Sequence, residues 1–253
     1  MIKVGIVGCS GYTAIEAIKL LLRHPNVQIV AATSRQADGT TICCMHPQLT
    51  GRINLVVEDL TPQQLGERCD VVFCCLPHAA SAPIVSEILT HNCRVIDLSA
   101  DYRLSTPKLY EKWYGNAHPD PGRLGQTPYG LPELFREELR DAQLVANPGC
   151  YPSSAILPLA PLIQEGLIET ASIIVDSKSG ASGAGRSPKV GNIYSEVNES
   201  FSAYAIGTHR HQPEIVDIVL LSALDNLIKG ASGAAVQCMN IMYGQEEKHG
   251  LHP

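Results

Sequence analysis

Cys150 stands where a short apolar run, Leu144-Val145-Ala146, ends in Asn147-Pro148-Gly149 and an apolar, helix-compatible segment begins. A thiol at a helix start meets unpaired backbone N–H groups and the positive end of the helix dipole. Both favour the thiolate, the form that attacks carbon. Most cysteines of intracellular proteins are small buried hydrophobes, so position alone does not make Cys150 a nucleophile. A second pair bears on the same chemistry: His209 and His211 are two apart, so on an extended chain they face the same side. Either imidazole could deprotonate the thiol or carry a proton to a developing alkoxide. The alternatives are a structural histidine or half of a metal site. No carboxylate or thiol shows a partner spacing, so no metal is expected.

A nucleotide-binding signal lies near the start of the chain. Gly5-x-x-Gly8-x-x-Gly11 falls between the apolar run Lys3–Val7 and a helical pattern that begins at Tyr12. Glycines there permit a tight turn and let backbone amides approach a pyrophosphate at a helix N-terminus. The spacing departs from the usual G-x-G-x-x-G, and such turns also arise for packing alone. The strand before and the helix after are what imply dinucleotide binding. An NAD-specific fold places Asp or Glu about 20 residues after the glycines to hold the ribose 2′-hydroxyl. Here Thr33-Ser34-Arg35 offers a hydroxyl and a guanidinium instead, which suit a 2′-phosphate. Arg35 could equally be a solvated loop residue; in this context NADP is favoured over NAD. Two further arginines stand in unusual loops, Arg103 after Ser99-Ala100-Asp101-Tyr102 and Arg186 after Ser182-Gly183-Ala184-Gly185. A guanidinium grips phosphate or carboxylate with two prongs, although a single surface arginine is more often solvated or salt-bridged.

These residues need a scaffold, and the chain alternates strand and helix patterns. Strands are predicted at Lys3–Val7, Val27–Thr33, Val71–Leu76, Val95–Leu98 and Leu144–Ala146, with helices from Tyr12 to about Arg23 and over Ala79–Leu89. Strands that are apolar throughout argue for a parallel sheet covered on both faces. Residues 39–51 look irregular, and Ser99–Pro132 is polar, aromatic and rich in Pro and Gly, the texture of a working loop. After Cys150 come a helix to about Glu165, a strand at Ile173–Asp176, the loop Ser179–Arg186, a last strand near Ile218–Leu221 and a helix over Asn226–Met242. Small residues at Gly230, Ala231, Gly233, Ala234 and Ala235 let that helix lie close to another element.

With 253 residues the chain can bury a large core or form two domains. A formal charge of −6 gives no broad basic field, which argues against nucleic acid as a partner. Nine cysteines, an odd number with adjacent pairs at Cys43-Cys44 and Cys74-Cys75 and no Cys-x-x-Cys, suit neither a disulfide framework nor a zinc site. No signal peptide is visible and no apolar run is long enough for a bilayer, so a reducing, cytoplasmic setting without membrane contact is expected.

Taken together, the segments Val7-Gly8-Cys9-Ser10-Gly11-Tyr12-Thr13, Leu76-Pro77-His78, Asp97-Leu98-Ser99-Ala100-Asp101-Tyr102-Arg103 and Tyr129-Gly130-Leu131-Pro132-Glu133 resemble those of the N-acetyl-gamma-glutamyl-phosphate reductase family, related to aspartate-semialdehyde dehydrogenase. The resemblance continues through Asn147–Pro152, Ser179–Arg186, His209-Arg210-His211-Gln212-Pro213-Glu214 and Asp225–Gly230, nearly the whole chain. Ala14 and Ser153 are minor departures from the usual Gly and Thr. The resemblance implies an α/β fold: a Rossmann-type NADP-binding domain at 1–148 and 223–253, with an α+β substrate domain at 149–222. It implies reduction of N-acetyl-glutamyl 5-phosphate by NADPH through a Cys150 thioester, with inorganic phosphate released and N-acetyl-glutamate 5-semialdehyde formed in arginine biosynthesis. His209, ahead of His211, is the implied proton carrier, and Arg103 or Arg186 receives the anionic substrate. Gly8, Ser10, Gly11, Tyr12, Thr13, Ser34 and Arg35 would contact the cofactor, with Ser182, Gly183 and Asn226 near its nicotinamide end. A homo-oligomer, such as a tetramer, is implied too.

One departure is large. The family carries a long stretch between the His-Arg-His-x-Pro-Glu-Ile segment and Asp-Asn-Leu, whereas here Ile215 runs straight into Val216. About 80 residues are absent by the usual size of such two-domain enzymes. A shortened substrate domain, with a discontinuity at 215/216, is therefore expected. Aspartate-semialdehyde dehydrogenase and a catalytically silent NADP-binding or interaction protein are the alternatives; the His-Arg-His-Gln-Pro-Glu segment argues against the first.

Overall fold

The computed structural model describes residues 1–35, 39–218 and 231–251. Its centre is a sheet of β1 (Ile2–Val7), β2 (Val27–Thr33), β3 (Val71–Cys74), β4 (Arg94–Asp97) and β5 (Leu144–Ala146). The order is β2-β1-β3-β4-β5 and every pairing is parallel. Val4, Ile6, Val71, Val72, Phe73, Val95 and Ile96 are fully buried, because helices cover both faces. Strand order reverses at β1, which pairs with β2 on one side and β3 on the other. In such sheets ligands bind in the crevice outside the C-terminal strand ends at that switch point.

The helices are α1 (Tyr12–Leu21), α2 (Ile42–Met45), α3 (Pro62–Arg68), α4 (Ala82–Ile88), α5 (Pro107–Tyr114), α6 (Pro132–Arg140), α7 (Cys150–Gln164), α8 (Tyr194–Val197), α9 (Gln212–Ile218) and α10 (Gly233–Met242). Helix α1 buries Ile15, Ile18, Leu20 and Leu21 against the sheet and stops short of Pro25. Thr61 and Gln64 form a reciprocal capping box that starts α3. Helix α10 packs on α1, α6 and β4; Gly233, Ala234 and Ala235 are buried in that contact, the close approach that small residues allow. The predicted loop Ser99–Pro132 holds α5 and ends by docking beside β5. There Tyr129 bridges Ala146, and the Gly130 N–H donates to the Ala146 carbonyl at 2.8 Å.

The second half departs from expectation in three places. Ile173–Asp176 forms no strand; it follows a short 3-10 turn at Thr170–Ser172, and Ile174 is 81% exposed. A strand needs a neighbour for its backbone donors and acceptors, and none is alongside. His209 to His211 lie in a turn rather than on extended chain, and the residues after them form α9. Ile218, expected to open a strand, instead ends α9, which also holds Ile215 and Val216. The remainder of the expected last strand, 219–221, and the start of the expected helix, 226–230, lie outside the described residues.

Candidate active site

Two sets of residues meet the crevice at the C-terminal ends of the strands. The first is the turn from β1 into α1. Gly8 has φ +78°, and a Cβ there would lie 2.7 Å from the Cys75 carbonyl oxygen, so only glycine fits. The N–H groups of Gly8 and Cys9 both donate to the Thr33 carbonyl at 3.0 Å, which ties the turn to the end of β2. Gly11 is the N-cap of α1 and has no side chain to cap the first turn, leaving those donors for an anion. Gly5 is different: a Cβ there would meet Cys69 Sγ at 2.8 Å, so it is a packing glycine of β1. Ser34 is buried at the end of β2 and Arg35 is exposed beside it, where an adenosine ribose would lie across the switch point. His46, which no sequence signal had singled out, anchors the turn through its Nε2 contact of 2.7 Å with the Cys9 carbonyl.

The second set is the turn from β5 into α7. Gly149 is the N-cap of α7 and Cys150 its first residue, half-buried, as the Pro-Gly-Cys sequence suggested. The backbone N–H groups of Cys150 and Tyr151 and the Arg103 guanidinium favour the thiolate, but burial outweighs them. The thiol is held above its ordinary value by burial, although the helix start acts in the direction its position suggests.

Glu214 organises this turn. It is 1% exposed, and its Oε1 accepts from the Gly149 N–H at 2.8 Å and from the Tyr129 hydroxyl at 2.5 Å. Its Oε2 accepts from the Arg103 guanidinium at 3.3 Å. Arg103 also donates to the carbonyls of Asn147 at 2.7 Å and Leu98 at 3.0 Å. Its side chain is 7% exposed, so its charge is neutralised and enclosed rather than open to a ligand. Glu214 and Tyr129 carried a sequence signal only as members of the His-Arg-His-Gln-Pro-Glu and Tyr-Gly-Leu-Pro segments.

The two imidazoles meet edge to face, with ring centroids 4.7 Å apart and planes at 68°, and both meet the Tyr151 ring. A Cβ on Gly149 would lie 2.6 Å from His211 Nε2 and 2.9 Å from an Arg103 terminal nitrogen. His211 therefore touches the residue on one side of Cys150, and both imidazoles touch the residue on the other. His211 Nδ1 is buried without a hydrogen-bond partner among the described residues. His209 Nδ1 accepts the His211 backbone N–H at 3.1 Å, which leaves its Nε2 as the protonated nitrogen of the neutral ring, 3.3 Å from the Tyr204 hydroxyl. That hydroxyl donates to Tyr151 at 3.0 Å. Burial holds His209 below the usual imidazole range and His211 well below it; neighbouring cations act in the same direction.

Arg186 reaches the first set rather than the second. Its guanidinium donates to the carbonyls of Ser10 at 2.9 Å and Met45 at 3.3 Å, so the loop carrying Ser182 and Gly183 ends against the glycine turn. Asn226 lies outside the described residues. Beneath the site, Asp101 accepts from the N–H groups of Ala79, Ser81 and Ala82 at the start of α4. Asp97, wholly buried at the end of β4, accepts from the Ser81 and Ser99 hydroxyls at 2.6 Å each, yet burial pushes it up to about 6. No cluster of three metal-ligating side chains occurs among the described residues, and none of the described helices is long and apolar enough to cross a membrane.

Comparison with known proteins places this geometry. The family model described as semialdehyde dehydrogenase, NAD binding domain, matches residues 3–142, and that described as semialdehyde dehydrogenase, dimerisation domain, matches 150–226. N-acetyl-gamma-glutamyl-phosphate reductase of Rhodopirellula baltica is 56% identical over 218 residues, 86% of this chain and 63% of that protein. This chain thus spans less than two thirds of that relative. The enzyme of the same name from Geotalea daltonii is 40% identical over 340 residues, covering 99% of this chain and 98% of that protein. Among solved structures, aspartate semialdehyde dehydrogenase II from Vibrio cholerae is 18% identical, with a TM-score of 0.47, over 74% of this chain and 48% of that one. With a thiol at a strand-to-helix turn, a glycine turn at the sheet's switch point and relatives matched at these levels, the chain belongs to the semialdehyde dehydrogenase family, among the N-acetyl-gamma-glutamyl-phosphate reductases.

Proposed function

We propose that this protein reduces N-acetyl-L-glutamyl 5-phosphate to N-acetyl-L-glutamate 5-semialdehyde, using NADPH and releasing inorganic phosphate, within arginine biosynthesis. The observation that carries the reading is Cys150 at the start of α7, flanked by residues that touch both imidazoles. The thiolate attacks the acyl carbon, the carbon–oxygen bond to the phosphoryl group breaks, and a thioester remains. A thiolate is both a good nucleophile and a good leaving group, which divides one difficult reduction into easier steps. NADPH, when bound, would supply the hydride that reduces the thioester, after which the carbon–sulfur bond breaks to free the aldehyde and regenerate the Cys150 thiol. The N–H groups of Cys150 and Tyr151 hydrogen-bond toward the sulfur and support its anionic form.

His209 is the proton carrier: its Nε2 adjoins the exposed Tyr204 hydroxyl, through which protons exchange with water. His211, more enclosed and held neutral, props Gly149. The uncapped start of α1 and the glycine cradle at Gly8 fit a pyrophosphate, with Ser10, Gly11, Tyr12 and Thr13 around it. Ser34 and Arg35 would face the 2′-phosphate, with Ser182, Gly183 and Asn226 toward the nicotinamide. Residues 1–148 with 223–253 form the nucleotide domain and 149–222 a shortened substrate domain. The Geotalea daltonii alignment supports this, being longer than the chain itself, so that the relative carries residues with no counterpart here. The match to a dimerisation domain supports a homo-oligomer, such as a tetramer, and the setting is cytoplasmic.

The test is turnover of N-acetyl-glutamate semialdehyde with phosphate and NADP, read as NADPH absorbance. Production of NADPH only with aspartate semialdehyde would refute the substrate assignment. A second reading, a silent NADP-binding protein, is favoured by the exposed apolar residues of the second half. NADP binding without phosphate-dependent turnover would establish it.

A further inference from the structure

The reaction proposed above needs a cation for the substrate's anionic groups, and the arginines of the site are differently engaged. Arg103 is enclosed and paired with Glu214, and Arg186 is turned onto two carbonyls of the nucleotide turn. Arg210, between the two histidines, is exposed and has no carboxylate partner among the described residues. Its guanidinium lies instead against the His78 imidazole, at 3.0 Å from Nδ1 and in contact with Nε2. His78 follows β3, and Arg210 stands between the two histidines that meet the Tyr151 ring, so the pair links the Cys150 turn to the segment after β3. Tyr114 flanks the pair, its ring 5.6 Å from that of His78.

We infer that Arg210 and His78 form the oxyanion subsite of the substrate, binding its phosphoryl or carboxylate group. The inference rests on the reductase reading for its substrate, but its binding chemistry stands on these two side chains. A guanidinium offers several N–H donors in a fixed plane, matched to an acceptor-only group with two or three equivalent oxygens. Packing a cation on an imidazole keeps the ring neutral, so it adds no competing acid. Burial and the Arg210 charge both hold His78 below the usual range. An exposed cation with no carboxylate partner among the described residues attracts the anionic end of a substrate. Neither residue carries the hydride or the acyl group; both are binding residues, and Arg210 sets which substrates enter.

The test compares wild type with Arg210→Gln, Arg210→Lys and His78→Gln in the reverse reaction, varying phosphate and semialdehyde separately. In parallel, inorganic phosphate and N-acetyl-L-glutamate are titrated calorimetrically into each protein in the absence of turnover. Loss of a charge-assisted contact should raise the affected KM and dissociation constant by about 10- to 100-fold, with kcat changed far less. Lysine should restore part of the loss, since it keeps the charge without the fork. A rise confined to phosphate assigns the phosphoryl group, and one confined to the semialdehyde and N-acetyl-L-glutamate assigns the carboxylate. If Arg210→Gln leaves every KM and dissociation constant within about twofold of wild type, the subsite does not exist. If Arg210-dependent binding persists in a protein without turnover, the reductase reading fails and the subsite stands.

Discussion

The sheet and the stretch from Leu167 to Val216 treat apolar side chains in opposite ways. Around the sheet, valines, isoleucines and leucines from β1, β3, β4, α1 and α10 close two interlocked clusters. In the later stretch Leu167, Ile174, Val190, Tyr194, Phe201, Ile206 and Val216 are all exposed, Ile206 at 83%. Both regions contain the residue types from which cores are made. The difference is partners: each strand of the first region has a neighbour and a helix above it, whereas no sheet forms in the described part of the second. An apolar side chain becomes core only when a second element arrives to cover it. What the second region does retain in contact with the first are α9, whose Glu214 pairs with Arg103, and the loop ending at Arg186.

The largest effect is expected at the junction, where Cys150→Ser should lower turnover by about 10⁴-fold or more. Its fold should be unchanged by circular dichroism, because serine suits a helix start. Near-normal turnover would show that the retained elements do not build a covalent site. Gly149→Ala would force a methyl group toward His211 and Arg103; an activity loss of about 10²-fold is expected from misplacement alone. Within the sheet region, Ile18→Ala should cost about 2–5 kcal/mol in chemical denaturation, as large-to-small changes in closed cores do.

Asp97 supplies a pH test of the same closed region. Its folded pKa, about 6, lies above the ordinary carboxyl value, so between roughly pH 4 and 6 the native state holds a proton that the unfolded chain has lost. Stability from this group is greatest below about pH 4, falls as pH rises toward 6, and is flat beyond. Asp97→Asn should remove that slope, on the order of 3 kcal/mol, from urea midpoints measured across the window. The smallest effect belongs to the open region: Ile174→Ser should change stability by no more than about 0.5 kcal/mol, since its side chain is not in a core. A loss comparable with that of Ile18→Ala would mean the stretch is covered in the working protein.

What the sequence disclosed follows the same division. The parallel sheet, the glycine turn and the helix starting at Cys150 were legible because local pattern and tertiary environment agree there: apolar strands, a positive-φ glycine, a Pro-Gly turn. The strand at Ile173–Asp176 had the composition of a strand but no neighbour to complete it, which no local pattern reveals. Arg103 looked like an anion receptor because nothing in its neighbours along the chain announces Glu214, 111 residues away. The Glu214 clamp and the Arg210–His78 pair were unreadable for the same reason: they join side chains distant in the chain, and only the fold shows which are adjacent. The helix start favours the Cys150 thiolate as its position suggests, but the burial that opposes it is a three-dimensional quantity that no local pattern reveals.

Helix α10 has a consequence for how the molecule is made. Its buried face lies on α1 and α6, so the unit that begins at Ile2 is finished only by residues up to Met242. During synthesis that unit waits, one flank bare, while everything between Cys150 and Ser232 emerges from the ribosome. The same closure lets the interior stretch differ in length between relatives: lengthening or trimming it leaves the two ends of the clasp intact.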